Sequence, residues 1–409
     1  MNKVRLGSIA SLKTGPFGTQ FSAKEYTETG IPVINVKNIG YGEVIENDLD
    51  YISEETKNRL SEHILMQGDI VFGRKGSVDR HAYISENYEG WVQGSDCIRV
   101  RCDDEINKKY ISHYLKLNHI KKMVNNAAVG STMASMNTDI LRDIEILLPE
   151  LKVQNKIERI VSLIEAKICL NRKINDNLLQ QATGIFEYWF KQFNYPTPNN
   201  TPYKSSGGSL YWNDKVNRYI PMEITNITVG EITTCHDSKR IPLSNNERLE
   251  KQGTIPYYGA TGIMDYVDDY IFNGDYVFLA EDGSVMTDQG TPILQRITGK
   301  SWVNNHAHVL EPVEGYSCLL LYMLLKDIPV VQIKTGSMSR TDRICKYNQQ
   351  NLNAYQVLCL PEYLRKLYIQ KTVAIESEML KIQSENQKLI SLRDWLLPML
   401  MNGQATIDD

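Results

Sequence analysis

The chain repeats one order of landmarks, and this duplication constrains its fold more than any other feature. Residues 1–193 and 229–403 each contain a β-rich block, a proline and a long polar helix. The paired landmarks are Leu-Gly-Ser-Ile (6–9) and Val-Gly-Glu-Ile (229–232), Gly-Ile-Pro (30–32) and Thr-Ile-Pro (254–256), Gly-Asp-Ile-Val-Phe (68–72) and Gly-Asp-Tyr-Val-Phe (274–278), and Leu-Pro-Glu at 148–150 and 360–362. The offset drifts between 206 (Asp69 to Asp275) and 224 (Pro32 to Pro256) because loop lengths differ. The sequence therefore predicts two copies of one structural unit.

Long helices are predicted over about 151–193 and 363–403, because apolar residues recur in each at steps of three and four. The positions are Ile157, Val161, Ile164, Ile168, Leu178 and Ile185, and, 212 residues later, Ile369, Val373, Leu380, Ile390 and Leu397. Asn171 and Asn175 interrupt the first seam, and Gln383 and Gln387 the second. The interruption is either a loosely packed polar turn or a buried asparagine that fixes the register of helix pairing. Neither helix is apolar all round, so each needs the other as its partner.

Composition limits the remaining possibilities. A chain of 409 residues has room for two or three domains, and no apolar run approaches the ~20 residues of a membrane helix. Seven scattered cysteines without a Cys-x-x-Cys motif indicate reduced thiols in the cytoplasm. A duplicated chain suits a two-part partner, and DNA with two half-sites is the leading candidate. The net charge of −4 argues against a tight DNA binder acting alone, and less against a subunit of a larger assembly.

Enzyme signatures are absent from the sequence. Gly299 to Ser301 resembles the end of a phosphate-binding loop, but Leu294 stands where that loop needs glycine. No Pro-Pro pair exists for an amino-directed DNA methyltransferase motif, and the acidic residues of the first helix suit a solvated face better than a nuclease. His306 and His308 have no evident third ligand for a metal. We predict no catalytic residue, no metal and no cofactor.

Candidate DNA-binding residues lie on polar or glycine-containing loops, where cations reach phosphates and arginine can bind guanine. In the first block they are Arg74, Lys75, Ser77, Arg80, Ser131 and Thr132. In the second block they are Lys239, Arg240, Tyr257, Tyr258, Arg340 and Arg343. For each loop the alternative is a solvated turn, and for the tyrosines it is core packing. Asp282-Gly283-Ser284 stands where the first block has Lys75-Gly76-Ser77, so the two loops reverse in charge.

Taken in order, these landmarks resemble the DNA-specificity subunit of type I restriction-modification systems over nearly the whole chain. The tail Leu-Leu-Pro-Met-Leu-Met-Asn-Gly at 396–403 is also similar to that family's helix ending. The resemblance implies an α+β fold with two β-rich target recognition domains and two long antiparallel coiled-coil helices, related by a pseudo-two-fold repeat. Each recognition domain would read one half of a bipartite double-stranded DNA site. The helices would set the spacing and dock two methyltransferase (modification) subunits, which restriction (ATP-dependent translocase and nuclease) subunits would join.

The implied domains are recognition domain 1 (1–150), a central spacer helix (151–193), a linker (194–228), recognition domain 2 (229–361) and a C-terminal spacer helix (362–409). The family's base-reading residues form no fixed motif, so none can be carried over by position. Two other hypotheses remain: a coiled-coil scaffold that never contacts DNA, and a self-sufficient DNA methyltransferase or nuclease. Loss of site-specific methylation after loop substitutions would exclude the scaffold, and S-adenosylmethionine binding by the isolated chain would favour the enzyme.

Overall fold

The structure is a computed structural model that describes residues 2–76, 78–128, 135–214, 217–335, 344–347 and 349–407. Contacts divide the chain into two units. The first contains residues 1–169 and 388–409, and the second contains residues 170–387. Both long helices contribute to both units. In the described residues no helix is long and apolar enough to cross a membrane.

The first unit is built on two four-stranded sheets, ordered β2-β9-β6-β7 and β3-β5-β4-β8. Its strands are β1 (Asn2–Arg5), β2 (Ala10–Thr14), β3 (Tyr26–Thr27), β4 (Ile31–Ile34), β5 (Asp50–Ile52), β6 (Ile70–Gly73), β7 (His81–Tyr83), β8 (Val92–Gln93), β9 (Cys97–Cys102) and β10 (Glu145–Leu148). Its short helices are α1 (Glu54–Arg59), α2 (Lys108–Leu115), α3 (Asn118–Ala127) and α4 (Thr138–Arg142). The apolar positions Ile111, Tyr114, Leu115, Ile120 and Met123 predict one helix over about 107–125, but the structure has two, α2 and α3.

All four residues of strand β6 are buried. Because successive side chains point to opposite faces of a sheet, both faces of this strand must be covered. Ile70 and Phe72 pack into the main core of the first unit, whereas Val71 packs into a smaller core with Ile34 and Ile84. A continuous apolar run at 70–72 is therefore what this position requires.

The second unit has a six-stranded sheet ordered β14-β20-β17-β19-β15-β16 and a three-stranded sheet ordered β18-β22-β21. Its strands are β11 (Leu210–Asn213), β12 (Arg218–Pro221), β13 (Thr225–Thr228), β14 (Thr233–Cys235), β15 (Gln252–Tyr258), β16 (Ile263–Val267), β17 (Phe272–Ala280), β18 (Asp282–Ser284), β19 (Leu294–Val303), β20 (Ala307–Pro312), β21 (Lys334–Thr335), β22 (Ile344–Tyr347) and β23 (Gln356–Cys359). The long helices are α5 (Leu151–Phe186), continued by a π-helical turn (Glu187–Lys191), and α10 (Glu362–Met401); the short helices of this unit are α6 (Val229–Ile232), α7 (Asn245–Glu250), α8 (Cys318–Leu325) and α9 (Gln349–Ala354).

The duplication is visible in the strand pairing. In the first copy β1 pairs antiparallel with β10, and in the second β13 pairs antiparallel with β23. Each pair joins a strand at the start of a copy, which in the second copy lies just before residue 229, to the strand that leads into the Leu-Pro, so each block is closed before its helix begins. The three-strand order β2-β9-β6 likewise matches β14-β20-β17.

The shared Gly-Asp pairs occupy different places, although the sequence aligns them. Gly68 takes a φ of 91° in the turn before β6, and the buried Asp69 accepts hydrogen bonds from Arg101 Nε (2.7 Å) and Nη2 (2.6 Å). Asp275 instead lies within β17 and accepts a bond from Thr298 Oγ1 (2.6 Å). Strand β6 ends at Gly73 and strand β17 ends at Ala280, so the strand ends are 207 residues apart, one more than the two Gly-Asp pairs.

The long helices pair antiparallel, as predicted. In the first unit Ile157 and Val161 of α5 share a core with Leu397 and Leu400 of α10. In the second unit the other ends meet, because the Tyr368 hydroxyl of α10 donates to the Ala182 carbonyl of α5 (3.2 Å). Ile157, Val161 and Ile168 are all buried, in agreement with the predicted α5 seam.

The seam predicted for α10 is partly wrong. Val373 is exposed, and Leu380 is half-buried. The buried positions toward the start of this helix are Leu364, Tyr368, Thr372, Met379 and Ile382. The spacing of apolar residues did not predict that Tyr368 and Thr372 are buried. Both can be buried because their hydroxyls donate hydrogen bonds to main-chain carbonyls. In α5, likewise, Ala182 and Phe186 are buried where Leu178 and Ile185 were expected.

Asn171 decides between the two interpretations of the polar interruption. Its side chain is 1% exposed, and its Nδ2 donates to Glu385 Oε2 (2.7 Å) and Asn386 Oδ1 (2.9 Å) within the second unit. The residue is therefore a buried interhelical contact and not a loosely packed turn. Asn175 is only half-buried.

Residues 194–228 are not an extended linker. They contain β11, β12 and β13, and Tyr195, Ile220 and Ile224 are buried in the core of the second unit. The Asn194 side chain accepts hydrogen bonds from the Ser205 amide (3.0 Å) and hydroxyl (2.9 Å), which closes the Ser- and Gly-rich segment on itself. Apolar and aromatic residues within this otherwise polar segment therefore anchor it to the core.

Candidate nucleic-acid interface

The loop between β6 and β7 carries the first group of candidate residues. Arg74 is half-buried, and its amide donates to the Asp96 carbonyl (2.7 Å). Lys75 is exposed, and its Nζ lies 3.1 Å from the Asp96 carboxylate. Gly76 takes a φ of 78°, a conformation that glycine adopts without strain. The loop thus presents at least one cation on a turn held by backbone hydrogen bonds.

Arg80 closes this loop beside residues that the sequence did not single out. Its guanidinium carbon lies 5.1 Å from the ring centroid of Tyr41, and Lys121 Nζ lies 4.4 Å from the same centroid. The Tyr41 side chain is 47% exposed. A tyrosine between two glycines (40 and 42) was the available signal, because such a turn presents an aromatic side chain at its tip. Nothing local in the sequence pointed to Lys121.

The surroundings of this cluster are rich in charge. Lys116 pairs with Glu165 (2.7 Å), and Arg393 pairs with Asp394 (2.7 Å). Beneath them, burial and the nearby Lys116 and Lys121 lower the pKa of His81 to about 3. Burial and Lys116 also lower the pKa of His113 well below its usual range. Both imidazoles are therefore neutral at physiological pH.

The corresponding loop of the second unit carries the carboxylate of Asp282 where the first loop carries the ammonium group of Lys75. Gly283 takes a φ of 87°, as Gly76 does, and the Glu281 amide donates to the His306 carbonyl as the Arg74 amide does to Asp96. The Lys75–Asp96 ion pair is replaced by a contact between Asp282 and His306 Nδ1. The two loops therefore have the same backbone conformation but carry side chains of opposite charge at residues 75 and 282.

Several predicted contacts have structural positions instead. Tyr257 and Tyr258 are 1% and 2% exposed and belong to the core, which is the packing alternative. The Arg240 side chain is 11% exposed and pairs with Glu281 (2.7 Å) and Asp237 (3.4 Å). We withdraw these three residues from the candidate interface, because their side chains are engaged inside the fold. Lys239 is exposed and is retained.

Ser77, Ser131, Thr132, Arg340 and Arg343 lie outside the described residues. Each remains a prediction from sequence. Lys75 and Ser135, which lie close in sequence to Ser77 and to Ser131 and Thr132, form an isolated β-bridge with each other.

A third polar group does lie near His308, contrary to the expectation that it had none. Ligand atoms of Cys235, Asp237 and His308 lie within 4.8 Å of one another. His308 Nδ1 hydrogen-bonds Asp237 (2.6 Å), and the Arg240 guanidinium lies 3.4 Å from the same carboxylate. Burial would raise the pKa of Asp237, but the His308 bond, the Val309 amide and Arg240 hold it below its usual range. The negative charge of Asp237 is thus already compensated by Arg240, and the cluster fits a structural ion pair better than a metal site.

Comparison with known proteins identifies the family. The family described as type I restriction modification DNA specificity domain matches residues 1–180 and 221–357. A type I restriction enzyme specificity subunit of Haemophilus influenzae, S.HindORF215P, is 35% identical over 108 residues, which cover 26% of this chain and about a quarter (27%) of that relative. The MjaIX specificity subunit of Methanocaldococcus jannaschii is 20% identical over 94% of this chain and 89% of its own length.

A crystal structure of a type I restriction-modification system S subunit from M. genitalium superposes with a TM-score of 0.49 at 16% identity, over 98% of this chain and 96% of that one. Members of this family are specificity subunits, which are not themselves catalytic. Because the family match covers most of the sequence in two separate segments, this chain belongs to the type I restriction-modification DNA specificity family.

Proposed function

We propose that this chain is the DNA-recognition subunit of a type I restriction-modification complex, in which each recognition domain reads one half of a bipartite, asymmetric DNA site. The observation that carries this proposal is the duplicated β-rich domain with oppositely charged loops on a shared backbone, joined by paired helices. Two domains that arose by duplication but carry different surface charges are suited to recognising two different DNA sequences.

The boundaries we propose are 1–150 and 229–361 for the recognition domains, and 151–193 and 362–409 for the spacer helices. Residues 194–228 then form a folded connection and not a free linker. At ~1.5 Å per residue, the 36-residue α5 is about 54 Å long. One turn of B-DNA spans ~34–36 Å, so a helix of this length is adequate to set the distance between two half-sites.

The proposed DNA surface of the first domain contains Arg74, Lys75 and Arg80, together with Ser77, Ser131 and Thr132. That of the second contains Lys239, with Arg340 and Arg343. A net charge of −4 predicts weak DNA binding by the chain alone, because phosphate contacts dominate affinity. Two methyltransferase subunits, docked on the helices, would supply the rest of the positive surface, and restriction subunits would join them. We place this assembly in the cytoplasm.

The test is co-expression of the chain with a type I methyltransferase subunit from the same organism, followed by mapping of methylated adenines in host DNA. We expect one bipartite methylated sequence that is absent when the chain is omitted. Exchange of residues 6–148 for the equivalent block of a relative should then change one half of that sequence only. A change in both halves would refute independent recognition, and methylation without the chain would refute the proposed role.

The scaffold and the self-sufficient methyltransferase predict different results. A scaffold would leave the methylated sequence unchanged when Arg74 and Lys75 are both replaced by alanine, while assembly remained intact. A self-sufficient enzyme would bind S-adenosylmethionine and methylate DNA without a partner. The charge-reversed loops favour recognition over both, since neither a scaffold nor a catalytic centre needs them.

A further inference from the structure

Tyr41 lies at the tip of a tight turn that the rest of the first unit holds in place. Ile39 and Val44 form a bridge, and the Gly42 amide donates to the His81 carbonyl (2.7 Å). Gly42 takes a φ of 91°, and a Cβ at this position would lie 2.2 Å from Lys116 Cε. The positive φ favours glycine at this position, whereas the end of the Lys116 side chain could move aside for a Cβ. The turn is held by the bridge and by the Gly42 hydrogen bond, while the Tyr41 ring stays half exposed.

Two cations approach that ring from distant parts of the sequence. Lys121 on α3 and Arg80 before β7 both lie within cation–π distance of it. Among the described residues, no carboxylate lies within 4.0 Å of either cation, and the buried Arg80 Nε has no hydrogen-bond partner. By contrast Arg248, which lies over Tyr257 in the second unit, pairs with Asp265 (3.1 Å).

The wider charge balance leaves these two cations without a full counter-charge. Burial has the largest effect on Lys121 and lowers its pKa; Asp79 and Asp394 oppose this only from beyond ion-pair distance, and Arg393 and Lys116 lower the pKa further. Glu165 is already engaged by Lys116, and Asp394 by Arg393. The site is thus an exposed aromatic ring flanked by two cations that lack direct anionic partners.

We propose that Tyr41, Arg80 and Lys121 form a DNA-backbone contact, in which the two cations hold a phosphate and the Tyr41 ring packs against the adjoining sugar or base. The inference rests on the proposed function and extends its surface to Tyr41 and Lys121. An open ring beside the cations favours a polymeric ligand over a free anion. A free anion needs only the charges, whereas a nucleotide unit offers a phosphate and an apolar face together.

The experiment measures binding of the chain, assembled with its methyltransferase subunits, to duplex DNA at several salt concentrations. Together, Lys121→Met and Arg80→Gln should reduce the slope of log affinity against log salt by about 0.9 and weaken binding about fivefold at 0.15 M salt, because the two cations hold one phosphate. Each single variant should give part of this effect. Tyr41→Ala should weaken binding at least fivefold with the slope unchanged, and Tyr41→Phe should bind like the wild type. Lys24→Met removes an exposed lysine of the same unit and serves as the charge control, with no expected change.

Thermal unfolding of each variant separates a binding defect from a folding defect. An unchanged slope in both cation variants, with a lowered melting temperature, would mean that the cluster only stabilises the turn and would overturn the inference. Binding of inorganic phosphate that is lost in Lys121→Met would reassign the site to a free anion. If the wild-type complex methylates one bipartite sequence while all these variants bind normally, the inference fails and the proposed function stands. A wild-type complex that does not bind DNA would remove both.

Discussion

Acid should destabilise the first unit through His81. This imidazole is 1% exposed, packs against Phe72 (ring centroids 5.3 Å apart) and hydrogen-bonds Ser112 Oγ (2.9 Å). Burial and nearby lysines lower its pKa to about 3, whereas in the unfolded chain it titrates near ~6.5. Below that pH the unfolded chain binds a proton that the native state does not, so stability falls as pH falls.

The loss of stability depends mainly on the pKa of His81 in the unfolded chain, because its pKa in the folded state, about 3, lies well below the pH range of 5 to 7.5 that is compared. The contribution of His81 is fully present above pH ~6.5 and declines by about 1.4 kcal/mol per unit below it, which amounts to about 2 kcal/mol at pH 5. Since the group is buried, no reduction for solvent screening applies. The decline should continue to the folded pKa of about 3.

Hydrogen exchange followed by mass spectrometry can measure this in the intact chain, through the opening free energy of β6 and β9 at pH 7.5 and 5.0. His81→Gln keeps a group able to hydrogen-bond Ser112 but cannot titrate. We expect its opening free energy to depend on pH by about 2 kcal/mol less than that of the wild type. His306→Gln, in the second unit, is the control and should leave β6 and β9 unaffected. Equal pH dependence in wild type and His81→Gln would show that His81 is not held neutral.

Three further predictions concern contacts within single units. Asn171→Asp should destabilise the helix pair by about 3 kcal/mol at pH 7, because it places a buried carboxylate beside Glu385, and urea denaturation should show the loss shrinking at pH 4; a neutral outcome would mean that the site is hydrated. Tyr368→Phe should cost about 1 kcal/mol in the same assay, since it removes the bond to Ala182, and no cost would exclude that bond. Lys75→Asp with Asp96→Lys should change stability by less than ~1 kcal/mol, because the pair is half-exposed, yet alter the methylated sequence; an unchanged sequence would place this loop away from the DNA.

The sequence by itself determined the duplication and the two long helices, whereas their antiparallel pairing was implied by the family resemblance. The duplication and the helices depend on local order and on the spacing of apolar residues, which a linear sequence carries directly. Ile157 and Val161 could be assigned to the helix seam because a helix brings residues three and four apart onto one face. The polar break at Asn171 was equally visible, but whether it is buried depends on the facing helix.

Only the tertiary structure decided which polar and aromatic residues are available to a ligand. Tyr257 and Tyr258 stand in a turn-rich, glycine-containing segment, yet they are buried because they end strand β15 of the six-stranded sheet and pack into two different cores. Arg240 had the composition of a DNA contact and became the partner of Glu281, 41 residues away. Burial of such side chains is set by partners distant in sequence, so no local pattern reports it.

The candidate site shows the same division. Arg74, Lys75 and Arg80 could be proposed from a cationic loop, because they are neighbours in the sequence. Tyr41 and Lys121 could not, since the turn and the helix that carry them meet only when the first unit folds. The charge reversal at residues 75 and 282 could be read from the sequence, but the partners of these residues, Asp96 and His306, could be identified only from the folded structure. Periodicity is local and therefore readable, whereas the meeting of distant charges is a property of the folded chain alone.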